Sequence, residues 1–222
     1  MFHRRCAKRS PRGAELLAGG GAGPDPIVDV VALGDGRDVL VARPRDSEAL
    51  LDEDAFDKRD EYLPYWAELW PSAIALARVV ARRSLEGRRV LELGCGLGLP
   101  GLAAAVGGAR ATVTDWAPEA IVAARDNAVR NGVEVEALVC DWRAADALVA
   151  RAPWDLVLLA DVLYEERNVA PLLELLPRLG GEVLLADPAR ATAAPFLEAA
   201  AERWRVTTVL EGRVLVHRLM AT

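Results

Sequence analysis

The chain of 222 residues predicts an α/β fold: a doubly wound, mostly parallel sheet of seven strands with an antiparallel C-terminal hairpin, preceded by a β-hairpin/helix extension. Three observations lead there. Residues 89–105, Arg-Val-Leu-Glu-Leu-Gly-Cys-Gly-Leu-Gly-Leu-Pro-Gly-Leu-Ala-Ala-Ala, pass from a short apolar strand at Val90–Leu93 through Gly94, Gly96 and Gly98 into an Ala/Leu-rich helix. Downstream, β-rich and helical stretches alternate with short links, as they do when parallel strands are covered by helices on both faces. Two final β-rich runs flank Glu211-Gly212, which marks a hairpin and one antiparallel strand in the main sheet.

In chain order, residues 1–26 are basic and then Gly-rich, with no sustained apolar period, and disorder is expected. The Arg-rich start has a transit-peptide composition, but no apolar signal core follows it. Ile27–Leu33 and Val39–Ala42 flank Gly34-Asp35-Gly36-Arg37 and form a hairpin expected outside the main sheet. Asp46–Glu61 holds eight acids against Lys58 and Arg59, with Ser47 as a helix cap; it is either a solvated helix face or a rim that attracts a basic protein. The segment from Tyr62 to Ala73 carries Tyr65, Trp66 and Trp70 between Pro64 and Pro71. Its aromatics serve equally as core or as the wall of a ligand site.

The core then follows, with a helix over Ser72–Ser84 ahead of the glycine loop. Strand two is Arg110–Thr114, and the next helix, Pro118–Arg130, starts at a proline and stops at Asn131-Gly132. Strand three is Val133–Cys140, strand four Asp155–Ala160 and strand five Glu182–Ala186, with helices at Val169–Leu179 and Thr192–Trp204. Arg205–Leu210 and Arg213–Leu219 make the last hairpin. Residues 27–222 are expected to be a single domain, with 27–71 as the extension and 72–222 as the core.

Composition excludes several classes. Hydrophobic residues make up 52% of the chain, yet no run approaches the ~20 apolar residues of a membrane span, so no membrane partner is expected. Cys6, Cys95 and Cys140 are odd in number and widely spaced, which suits neither a disulfide framework nor a zinc site and points to a reducing cytoplasm. His3 and His217 are the only histidines, so no metal cluster or histidine base is expected. Formal net charge is −6, and setting aside the five positive residues within 1–13 leaves −11 on the rest. A body so acidic is a poor nucleic-acid binder and suits a basic substrate better.

In a doubly wound sheet the ligand lies at the carboxyl ends of the strands, and each main strand ends in polar residues. Glycines after the first strand let a ligand approach the backbone closely, and the following helix start offers unpaired N–H groups. Asp115, with Trp116 beside it, follows strand two and is placed to accept from both ribose hydroxyls or to act as a turn residue. Asp141-Trp142 follows strand three, offering an acceptor for an adenine amino group beside a stacking ring, or a core tryptophan. Asp161-Val162-Leu163-Tyr164 follows strand four, next to the reactive end of such a ligand, although Asp161 as a helix cap and Tyr164 as packing would also fit. Gly96 to Gly101 satisfies G-x-G-x-x-G as well, which leaves a nicotinamide dinucleotide open on spacing alone.

The fuller pattern Glu92-x-Gly94-x-Gly96-x-Gly98 resembles motif I of the class I, seven-strand S-adenosylmethionine-dependent methyltransferases, whose fold is Rossmann-like. Asp161-x-x-Tyr164, with Pro64-Tyr65-Trp66-Ala67-x-x-Trp70-Pro71 ahead of motif I, is similar to the protein-lysine methyltransferases of methyltransferase family 16. Within that group, Leu156–Glu166 and Val183–Arg190 look most like the enzymes that methylate the electron-transfer flavoprotein β-subunit, and their bacterial relatives. The resemblance spans roughly residues 62–190 and departs in the Leu-Gly-Leu-Pro-Gly ending of the glycine loop.

The resemblance implies methyl transfer from S-adenosylmethionine to a protein lysine. Asp161 and Tyr164 would be the catalytic pair. Trp66, Trp70, Glu92, Gly94, Gly96, Gly98, Asp115, Trp116, Asp141, Trp142 and Asp161 would form the cofactor site, with no metal. Tyr65 or Trp66 would face the substrate cation. Two other readings stay open: a small-molecule amine N-methyltransferase, and a cofactor-binding interaction protein with little activity.

Overall fold

The protein is described by a computed structural model covering residues 25–34, 36–47, 50 and 64–222. All but the last two residues of the expected tail and most of the expected helix over 46–61 lie outside the described residues. β1 (Ile27–Gly34) and β2 (Arg37–Arg43) pair antiparallel as a separate two-stranded sheet, as the sequence predicts. The core then runs α1 (Pro71–Ala81), β3 (Arg89–Leu93), α2 (Leu99–Val106), β4 (Arg110–Asp115), α3 (Pro118–Arg130) and β5 (Val135–Val139). It continues through α4 (Asp146–Val149), β6 (Leu156–Ala160), α5 (Val169–Leu179), β7 (Glu182–Asp187), α6 (Ala193–Ala200), β8 (Trp204–Glu211) and β9 (Val214–Ala221).

The main sheet has the order β5-β4-β3-β6-β7-β9-β8. β3 to β7 are parallel, and β9 runs antiparallel between β7 and β8. Successive crossovers go outward from β3 in one direction and then from β6 in the other, so a switch point lies between those two strands. That is where a doubly wound sheet opens a crevice for its ligand. Strand alternation sorts the core: Val90, Leu156, Leu158 and Leu184 pack with α1 and α2, while Leu91, Leu93, Val157 and Leu185 pack with α5 and α6. Among the described residues no helix is long and apolar enough to cross a membrane.

Element ends differ from expectation for local reasons. The helix expected over 192–204 stops at Ala200, because Trp204 is buried and already pairs with Ala221 as the first residue of β8. β5 begins at Val135 rather than Val133, whose N–H closes the end of α3 on Ala128 O. α1 starts at Pro71 and ends at Ala81, three residues short of the expected Ser84. The outer hairpin is fastened to α3 by two asparagines one turn apart. Asn127 Oδ1 accepts from Ala42 N and Asn131 Oδ1 from Leu40 N, while their amides donate to Ala42 O and Leu40 O.

Candidate functional site

The loop between β3 and α2 forms one wall of the crevice. Gly96 has φ +50, and a Cβ there would sit 3.1 Å from Trp66 O, so the aromatic segment 65–67 closes directly onto the glycine loop. Gly94 is as tight: a Cβ would lie 3.1 Å from both Trp142 and Val162. These positions need glycine because backbone and rings approach closely there. Cys95 N donates to Thr114 O, which stitches the loop to β4.

Two acids behind the loop hold it open. Glu92, fully buried in β3, accepts from Gly101 N in the first turn of α2 at 2.8 Å. A Cβ at Gly101 would fall 2.7 Å from that oxygen and 2.4 Å from Val113, so the contact itself requires a glycine. Burial pushes the Glu92 carboxyl up to about 8, against the Gly101 hydrogen bond and aided by nearby Asp115. Asp115, at the end of β4, accepts from Gly96 N with one oxygen and from Ala117 N with the other. Burial raises it too, while those backbone donors pull it down. Its two oxygens are fixed in place with lone pairs left over.

The opposite wall is built after β6 and β7. Asp161 is only 8% exposed and adopts φ +58, its N–H donating to Ala186 O. Its Oδ1 accepts from Arg190 Nε at 2.5 Å. Tyr164 projects from the same loop with 36% exposure, its ring 5.4 Å from Tyr65, which is in turn 6.3 Å from Trp70. Trp70 Nε1 donates to Tyr65 O. Burial, with Glu165 nearby, pushes the Tyr164 phenol up to about 12, so it keeps its proton.

These walls enclose a cavity of about 360 Å³, a size suited to a small-molecule ligand. Trp66, Trp70, Glu92, Gly94, Gly96, Asp115, Trp116, Trp142, Asp161 and Tyr164 all line it. Two expected residues do not. Gly98 caps α2 with φ +84, and a Cβ there would press on Ala124 at 3.0 Å, so its glycine serves packing of α2 on α3. Asp141 lines a smaller adjoining pocket, and its carboxylate is engaged by Arg143 N, Nε and Nη2. Sequence reasoning gave no role to Arg190 or Glu68, which also line the cavity. Arg190 stands three residues beyond β7, where the strand-end rule could have found it. No cluster of three metal-ligating side chains occurs among the described residues.

The lining fits a nucleoside with a short charged tail, as in S-adenosylmethionine. Asp115 presents carboxylate oxygens fixed by Gly96 N and Ala117 N, and Trp116 and Trp142 line the same cavity. A sequence profile described as lysine methyltransferase matches residues 64–193. The chain is 36% identical over 135 residues to the electron transfer flavoprotein beta subunit lysine methyltransferase of Danio rerio, covering 58% of this chain and 51% of that one. It is 37% identical over 132 residues to the ribosomal protein L11 methyltransferase of Pectobacterium carotovorum, covering 57% and 42%. The chain thus spans about half the length, or less, of these relatives. Its fold is shared with the T. thermophilus 16S rRNA N2 G1207 methyltransferase solved with AdoMet and guanosine, at TM-score 0.63 and 18% identity, over 89% of this chain and 51% of that one.

Proposed function

Because the chain belongs to the lysine methyltransferase family, we propose that it transfers a methyl group from S-adenosylmethionine to the side-chain amine of a lysine in a protein. The observation that carries this reading is the convergence of the glycine loop, Asp115 and the Asp161–Tyr164 pair on one cavity.

In this reading Asp115 holds the ribose hydroxyls, Trp116 and Trp142 flank the adenine, and Gly94 and Gly96 let Trp142 and the aromatic segment close around the cofactor. S-adenosylmethionine, when bound, supplies a methyl on a positively charged sulfur, an electrophile that needs no further activation. The chain's own task is to present an amine with a free lone pair; since a lysine has an ordinary pKa of about 10.4, the ammonium first passes its proton to water at the open mouth of the cavity. Tyr65, Tyr164 and Trp70 offer ring faces to the arriving ammonium, each worth about 0.5–2 kcal/mol. Asp161 accepts an N–H of the deprotonated amine, and the Tyr164 hydroxyl fixes its direction. Alignment of this kind contributes on the order of 7–11 kcal/mol.

The substrate is a protein with an accessible lysine, and the electron-transfer flavoprotein β-subunit is the first candidate because a relative is named for it. Nucleic acid is not the acceptor in this reading, since the chain beyond its basic first 13 residues carries a formal charge of −11. The free thiols Cys95 and Cys140 suit a reducing cytoplasm. The test is transfer of radiolabelled methyl from S-adenosylmethionine into a soluble cell extract, resolved by gel and by small-molecule chromatography. A labelled protein band is expected; label only at low mass would move the assignment to a small-molecule amine enzyme.

A further inference from the structure

Among the described residues, the non-glycine residues with positive φ are Asp161 (+58) and Ala189 (+67). Both serve one contact. Asp161 follows β6 directly with its carboxylate turned inward, and Ala189 turns the chain after β7 so that Arg190 reaches it at 2.5 Å. Arg190 N is itself held by Asp187 Oδ1 at 2.7 Å. Backbone strain of this kind persists only where surrounding structure enforces it, and it collects at functional sites. The Asp161 side chain is 6% exposed, and Arg190 lines the same cavity.

A lone carboxylate facing an incoming lysine would stabilise the ammonium, the form with no lone pair to attack. Paired with a guanidinium, the same carboxylate still offers an acceptor to a neutral amine, but the pair carries no net charge with which to hold the ammonium. Resting on the lysine-methyltransferase reading, we propose that Arg190 is a positioning residue that both aims Asp161 and lowers the pH at which the substrate lysine loses its proton in the site. Other charged or titratable groups face this position: Asp187 after β7 with His217 behind it on β9, Tyr65 and Glu68 from the aromatic segment, Tyr164 and Glu165 beyond Asp161, and Glu92 and Asp115 across the cavity. None of them replaces Arg190 as a cation.

The experiment uses the full chain, radiolabelled S-adenosylmethionine and soluble cell extract as acceptor, added until the initial rate no longer rises, so that the rate follows kcat and its acid limb reports groups in the enzyme–substrate complex. Arg190→Gln is expected to move the acid limb of the pH profile upward by about one unit and to lose about tenfold in rate near neutrality while approaching wild type at high pH. Arg190→Lys restores the limb. Adding Asp161→Asn to Arg190→Gln, which again leaves no net charge, returns the limb towards its original position at a lower rate. Without cofactor, the same cycle reads as melting temperature: Arg190→Gln lowers it by leaving a buried carboxylate unpaired, and the double variant recovers part of the loss. A loss of equal size at every pH, or an unmoved limb, overturns the proposal. A wild type that labels no protein overturns the parent reading and this one together, whereas labelled protein with an unmoved limb overturns only this one.

Discussion

Asn127 exchanges two hydrogen bonds with the backbone of Ala42, its Oδ1 accepting from Ala42 N at 2.8 Å and its Nδ2 donating to Ala42 O at 3.2 Å, as a neighbouring strand would. The same Nδ2 lies 3.1 Å from Leu97 O in the glycine loop. One buried side chain on α3 therefore fastens the outer hairpin and braces the loop that walls the cavity.

Asn127→Ala is expected to cost about 3 kcal/mol, since it strands buried backbone donors and acceptors rather than exchanging them for water. It should also weaken S-adenosylmethionine binding about tenfold, through the released Leu97 carbonyl. Urea unfolding and calorimetric titration measure the two effects. Lost stability with unchanged affinity would separate the hairpin from the site.

Gly96→Ala places a methyl against Trp66 O at a backbone angle that side chains avoid, a strain of about 1–2 kcal/mol. Binding of S-adenosylmethionine should fall roughly tenfold, while the fold persists because Gly96 is not part of the strand ladder. Gly98→Ala acts differently. It crowds Ala124 on α3 and should lower the melting temperature more than it lowers affinity.

Glu92 gives the stability a pH dependence. Its carboxyl titrates near 8 when folded and in the ordinary carboxylate range when unfolded, so between those values the folded chain holds a proton that the unfolded chain has lost. Stability from this group is complete below the unfolded value, declines as pH rises through the window at up to ~1.4 kcal/mol per unit, and is flat above the folded value. Glu92→Gln keeps an acceptor for Gly101 N and should flatten the melting-temperature profile between about pH 5 and 8. An identical slope in the variant would place the titration elsewhere, Asp115 being the next buried acid raised in the same direction.

The sheet was legible because alternation and glycine signals are local: Val90–Leu93, the helix stop at Asn131-Gly132 and the turn at Glu211-Gly212 each act over a few residues. The strand-end acids followed from topology, which brought Asp115 and Asp161 to one cavity from either side of the switch point. Trp204 was misplaced into a helix because its partner Ala221 lies seventeen residues on, beyond any local period. Asp141 was legible as an acid at a strand end, but its capture by Arg143 depends on a side-chain torsion that no spacing encodes. The Asp161–Arg190 contact likewise joins two loops across the β6–β7 pair, and its backbone strain shows only in three dimensions.

In the proposed reaction, Asp161 aligns a lysine amine for methylation in this cavity. The measurement that bears on it most directly is peptide mass spectrometry of extract protein incubated with S-adenosylmethionine and either the wild type or Asp161→Ala, with cofactor affinity of both proteins determined alongside. Methyl groups are expected on the Nε of a particular lysine with the wild type, and a loss of at least about a hundredfold in rate with Asp161→Ala at little cost in cofactor affinity. Methylation that survives the substitution at the wild-type rate, or that maps to a group other than lysine, would contradict it.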